Sequence, residues 1–197
     1  MHKVRILLAS LVVGVGDVLR ALGWLSVAFC ATLGAFAALD AVADKREPAV
    51  TPLASGVVWR GGPSREALEA MDDAQLWEQC QSALEILDRV CPAVSEWARE
   101  RFACGHLVFG KQKNCGWLGL WVPVLRQVSV HIDAISHGDI RLAATLAHEY
   151  RHSRQTAFDH MQATVYVLFS WEASPVIEPQ AYAFGDRVRD AIIGQRR

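Results

Sequence analysis

The chain contains no internal repeat, no low-complexity tract, no glycine-rich loop of the kind that cradles phosphate, and no basic stripe. Its 20 Lys and Arg balance 21 Asp and Glu to a net charge of −1, which gives nucleic-acid binding no electrostatic support. No CxxC pair occurs among its five cysteines, which excludes a structural zinc site built from thiolates. Only one apolar run is long enough to cross a bilayer.

That run is Ala21 to Leu39, 19 uncharged residues in a chain that is 52% hydrophobic. As a helix it would span about 28 Å. Lys3, Arg5 and Arg20 precede it, and no positive excess follows. The positive-inside bias therefore predicts a single-pass anchor over residues 1–43, with the remainder on the periplasmic side of a bacterial inner membrane. Cleavage of a signal peptide near Ala43, after Ala41-Val42-Ala43, is the alternative, and would give a secreted protein. Residues 44–63 read as a linker and 64–197 as one domain. Cys80, Cys91, Cys104 and Cys115 form an even set in the exported part and predict two disulfides, with three connectivities open. The competing reading is four reduced, buried thiols.

His148-Glu149-Tyr150-Arg151-His152 carries the most chemistry. On a helix, positions i and i+4 share a face, so both imidazoles can reach one metal ion. A catalytic zinc takes three protein ligands and keeps one position open. A carboxylate beside the first histidine can then take a proton from water. Asp139 to Ala147 supplies good helix formers ahead of the motif, and Asp139 suits an N-cap. Leu142, Leu146 and Tyr150 share one face, while Thr145, His148 and His152 share its neighbour.

Three residues compete to be the third ligand: His160, Glu172 and Glu178. Glu178 opens a stretch that reads as a helix to about Ile193, with Pro175 and Pro179 suited to its first turn. Ala181 is small enough to let that helix approach the metal helix closely. Glu172 has no such setting.

HExxH followed 26 residues later by Glu178, within an ExxAY stretch, resembles the gluzincin metallopeptidases over about a third of the chain. Metzincins are excluded, because Gln155 and Phe158 stand where that group has glycine and histidine. The resemblance implies one zinc ion held by His148, His152 and Glu178, with Glu149 as general base. Gln155, giving HExxHxxQ, resembles small bacterial zincin-like proteins. Tyr182 occupies the position where thermolysin-like enzymes carry an acidic partner for a ligand histidine. Asp186 or another carboxylate would then have to orient the imidazole. Tyr182, Tyr150 and Arg151 are candidates to stabilise a developing oxyanion, and Tyr182 reads equally as a core tyrosine.

Val128 to Asp133 alternates like a half-buried strand, with His131 on the polar, surface side. Leu107 to Gly110 is a second strand, and Trp121 to Leu125 a third that proline demotes to an edge. Ser64 to about Val90 reads as helix in two pieces, with Asp72 or Asp73 as a new N-cap and Leu76, Cys80, Leu84, Leu87 and Cys91 as the apolar face. Pro92 breaks the pattern before it resumes at Val94. Trp117 and Trp121 read as buried tryptophans rather than substrate contacts, and Val165 to Trp171 as core.

The expected fold is α+β. A minimal zincin-like domain, with a small antiparallel sheet, the HExxH helix and a glutamate-ligand helix, carries a helical lobe and follows an N-terminal transmembrane helix. The expected function is zinc-dependent hydrolysis of a peptide or protein substrate. The alternatives are a non-catalytic zincin-shaped interaction protein and a zinc amidase acting on cell-wall material.

Overall fold

The computed structural model describes residues 47–53, 60–113, 116–156, 159–163, 175 and 177–194, all within one compact unit, Asp44–Arg197. Four helices come first: α1 (Arg65–Glu69), α2 (Asp73–Gln79), α3 (Gln81–Val90) and α4 (Pro92–Ala103). Asp72 starts α2 through a capping box, accepting from the Gln75 N–H at 2.8 Å while Gln75 Oε1 accepts from the Asp72 N–H at 3.0 Å. Pro92 sits in the first turn of α4, where its missing N–H costs nothing. The predicted apolar face is buried in full, with Leu76, Cys80, Leu84, Leu87 and Cys91 each no more than 2% exposed.

Three strands follow: β1 (Leu107–Gly110), β2 (Gly119–Val122) and β3 (Gln127–His131). Their order is β1-β3-β2, with β3 parallel to β1 and antiparallel to β2. The sheet is therefore mixed, which corrects the antiparallel expectation. Between β1 and β3 the chain reverses twice, so β3 runs the way β1 does. The second reversal is a 3-10 turn over Pro123–Leu125, closed by Arg126 in the left-handed region at φ 50°. Proline ends β2 and leaves it at the edge. Val128 and Val130 of the central strand are buried.

β3 stops at His131 because α5 (Ile132–Ser136) begins there. His131 is fully buried, against expectation: its Nδ1 accepts from the Asp133 N–H at 3.2 Å as the helix cap, and its Nε2 lies 2.7 Å from the Gln112 carbonyl. Capping turns the ring inward where strand alternation would have turned it out.

α6 (Asp139–Ser153) carries HExxH, and α7 (Glu178–Ile193) lies against it. Gly138, at φ 89°, caps α6 in place of Asp139. A Cβ there would come within 2.7 Å of the Arg60 carbonyl. Asp139 is itself buried and accepts from the Arg60 N–H at 3.1 Å and the Ser82 hydroxyl at 2.6 Å. Part of the expected linker is thus packed structure. Thr51 N–H bonds to the Val90 carbonyl at 2.7 Å, Leu53 N–H to that of Ala191 at 3.1 Å, and Leu53 is buried. Leu142, Leu146, Phe184, Val188 and Ile192 join α6 and α7 to the core of the helical lobe.

Two further expectations are corrected. Among the described residues no helix is long and apolar enough to cross a membrane. The predicted transmembrane helix over about 21–39 thus has no counterpart in the described fold; it lies outside those residues, as does the core expectation for Val165 to Trp171. The two disulfides do not form, since Cys80, Cys91 and Cys104 are free. Cys80 and Cys91 belong to the core, and burial pushes the Cys80 thiol up to about 12, where it donates to the Leu76 carbonyl and is chemically inert. Cys104 is exposed, and Cys115 lies outside the described residues.

Asp139 ties the start of α6 to α3 and to residue 60. Asp139→Ala would strand a buried hydroxyl and a backbone N–H, so it is expected to cost about 1–3 kcal/mol, read by chemical denaturation. Ser82→Ala, which leaves the N–H bond in place, should cost less.

Candidate metal centre

α6 and α7 can meet closely because the residues between them are small. Ala181 is fully buried, and a Cβ on Gly185 would lie 3.0 Å from the Ala144 carbonyl and 3.5 Å from the His148 Cβ. With Gly185 beside Ala144 and Glu178 beside His152, the helices run antiparallel, and the first turn of α7 faces the last turns of α6.

There His148, His152 and Glu178 converge, with one ligand atom from each all within 4.8 Å. His148 Nε2 lies 2.9 Å from His152 Nε2 and 3.4 Å from Glu178 Oε2, and His152 Nε2 lies 3.6 Å from Glu178 Oε1. Zinc bonds of about 2.0–2.1 Å in a tetrahedron put ligand atoms about 3.3 Å apart, and the three separations scatter around that edge. The donor set therefore fits a single ion. The side facing away from the protein opens onto a cleft of about 430 Å³, so a fourth position is accessible.

Two carboxylates share this centre in opposite states. The imidazoles of His148 and then His152 beside it hold Glu178 down at about 2, so it is an anion at neutral pH. Glu149 is 2% exposed, and its burial pushes it up to about 7; the Glu178 charge adds to the rise, while His152 and the Trp121 backbone oppose it. Its Oε2 is buried with no hydrogen-bond partner among the described residues. Glu149 thus places a carboxylate of raised proton affinity beside the metal-ligand set and along the same cleft, with Oε1 3.9 Å from His148 Nε2. Burial would lower the His152 imidazole, but the neighbouring Glu178 and Glu149 carboxylates and the Gln155 amide oxygen at Nδ1 together raise it.

Gly119 and Gln155 are constituents of the site that motif reading did not assign. β2 presses against α6 so closely that a Cβ on Gly119 would meet Glu149 Oε1 at 2.5 Å. Only glycine lets the strand lie over that carboxylate. His152 Nδ1 is partnered by Gln155 Oε1 at 2.8 Å, which fills the orienting role expected of Asp186 or another carboxylate. Asp186 instead pairs with Arg189 at 2.7 Å. The signal for Gln155 was its place three residues after His152, one helical turn away on the same face.

Tyr182 is no core residue. It is 60% exposed, lines the cleft and sets its ring edge-on to His148 at 4.6 Å. Tyr150 is buried against Trp97 and Phe184, and Arg151 reaches out to Gln180, so neither serves the cleft. His160 bonds through Nε2 to the His152 carbonyl at 2.8 Å and stands outside the ligand group; Glu172 lies outside the described residues. Trp117 and Trp121 are half-buried and both line the cleft.

Comparison with protein-family models, with curated proteins and with solved structures found no match for the chain.

Glu149 should leave a mark on stability. Its carboxyl is raised from 4.5 to about 7, so the folded metal-free protein holds the proton more tightly than the unfolded chain does. Stability from this group is complete below pH 4.5 and is lost as pH rises through 7. Glu149→Gln removes that loss. The metal-free variant is expected to exceed the parent by about 3 kcal/mol at pH 8 and to match it at pH 4.5. Denaturation curves at both values test this.

Proposed function

We propose that the chain is a zinc-dependent hydrolase that cleaves peptide bonds. The observation that carries this reading is Glu149, a buried carboxylate with an unpartnered oxygen, adjacent to a three-ligand set that faces an open cleft. A merely structural metal site would be closed and would not need a base with raised proton affinity. The resemblance to gluzincins points the same way. Zinc suits two imidazoles and one carboxylate, and when bound it polarises a scissile carbonyl and acidifies water.

The chain's own residues do the rest. His148 and His152 contribute neutral imidazole nitrogens and Glu178 an anionic oxygen, leaving a net charge of +1 on the occupied centre to favour a developing oxyanion. Glu149, whose Oε1 lies 3.9 Å from His148 Nε2, takes the proton of the attacking water and returns it to the leaving amine. Gly119 permits the strand above to hold this carboxylate in place, and the Trp121 backbone bonds to it. Tyr182, exposed beside His148, is assigned to the oxyanion.

An extended substrate has a place to lie. β2 pairs only with β3 among the described residues, and its other edge faces the centre, where the Trp121 backbone bonds to Glu149. Backbone pairing there would hold a peptide across the ligand set, with Leu120, 45% exposed, as an apolar contact. The floor of the cleft runs along α6 from Arg141 to His152, about 16 Å of helix, long enough for four or five extended residues.

Metal analysis of the full-length protein should give one zinc per chain, and chelation should abolish hydrolysis of an unfolded protein substrate. Glu149→Gln should keep the zinc and lose at least about a hundredfold in rate. Equal rates in the two forms would remove the hydrolase reading. Tyr182→Phe should lower kcat by about a hundredfold or more with zinc content unchanged, as loss of one oxyanion donor requires.

A further inference from the structure

The amide of Gln155 has two chemically distinct ends, and their partners are unambiguous. The Ile177 carbonyl can only accept, so the end facing it at 2.6 Å is Nε2–H. The other end, Oε1, must then accept from His152 Nδ1 at 2.8 Å. A neutral imidazole carries one N–H, so Nε2 of His152 is left with a bare lone pair. That nitrogen is the one facing His148 and Glu178. Gln155 is 7% exposed, which keeps water from replacing either bond.

We propose that Gln155 is a positioning residue that does two things with one side chain. It holds His152 in the Nδ1–H tautomer, and it docks the residue before Glu178 onto the end of α6. The docking matters because His152 and Ile177 are 25 residues apart in sequence. Without this tie, the first turn of α7 would be held by the exposed Arg151–Gln180 hydrogen bond and by packing further along, at Ala181 and Phe184. A carboxylate in this position could accept from the imidazole but could not donate to the carbonyl. The amide does both, so the ring of one ligand and the backbone of another move as a unit. The inference builds on the metal-centre reading, but its first element, the tautomer, holds whether or not an ion is bound.

The test uses the full-length protein and two variants. Gln155→Met keeps the length and loses both bonds; Gln155→Glu keeps the acceptor for Nδ1–H and loses the donor. Nitrogen-15 shifts of the His152 ring, read in metal-free protein in alkaline buffer, report the tautomer. Zinc affinity comes from competition with a chromophoric chelator, and the cobalt(II) absorption spectrum reports ligand geometry. The parent is expected to show Nδ1–H. Gln155→Met should lose that form and bind zinc about 10–100-fold more weakly, with an altered cobalt spectrum. Gln155→Glu should restore the tautomer and part of the affinity, which a packing role alone would not do. A parent ring protonated at Nε2 overturns the proposal, even if Gln155→Met fails to fold. So does a Gln155→Met protein with unchanged tautomer and zinc affinity. A parent in the Nδ1–H form that takes up neither zinc nor cobalt would support the clamp and sink the hydrolase reading instead.

Discussion

A Cβ on Gly185 would lie 3.0 Å from the Ala144 carbonyl, so any larger side chain would press apart the two longest of the described helices. Everything at the centre depends on that approach. The two histidines are brought together by helical periodicity alone, but the third ligand comes from a helix 26 residues further on. It reaches the imidazoles only because Ala181 and Gly185 let α7 lie flat on α6, while Phe184, Val188 and Ile192 along the same buried face anchor α7 in the core. A bulkier residue at either small position would lift Glu178 from the centre without touching a ligand. The specificity of the site thus resides partly in residues with no chemistry of their own.

The same economy of space governs the base. Burying a carboxylate with one oxygen unpartnered is unfavourable, and nothing in the packing of the lobe requires it. Gly119 makes it possible by removing a side chain, and the backbone of β2 covers the carboxylate. A stabilising choice would have been an apolar residue at 149. The other buried polar residues of α6, Asp139, Thr145 and His152, each have a hydrogen-bond partner, and Leu142, Ala143, Leu146, Ala147 and Tyr150 obey the apolar pattern.

Periodicity and punctuation made the elements legible. The HExxH helix, the helix from Glu178 to Ile193, the break at Pro92, the cap at Asp72 and the strand over Leu107–Gly110 follow from local signals in the chain. So does the convergence of His148, His152 and Glu178, once the last two helices are placed. What local signals could not reach was tertiary. The parallel pairing of β1 with β3 depends on counting chain reversals across a loop, and alternation carries no sign of direction. His131 was misplaced because a residue can end a strand and cap a helix at once, and the cap decides where the ring points. An even count of cysteines suggested pairing, but Cys80 and Cys91 serve as small apolar residues in the core, a use the count cannot distinguish. Gln155 is the instructive case: its spacing from His152 was visible, but its second partner, the Ile177 carbonyl, could be known only from the fold.

The two glutamates at the centre show how one cleft can give the same functional group two jobs. Glu178 sits in the first turn of α7, half-exposed, with two imidazoles beside it, and is held as an anion at about 2. Such a carboxylate is a ligand; it has no proton affinity to spare for catalysis. Glu149 is one residue from a ligand histidine yet turned under β2, dry and short of partners, and sits at about 7. A group there can both take a proton from water and give it up to an amine near neutrality. The positive charge of a bound divalent ion would pull both values down, but it cannot erase their order, because the order comes from burial and partners rather than from the ion. Environment, not residue type, therefore assigns the roles, and exchanging the two environments would leave a chain with the same motif and neither function.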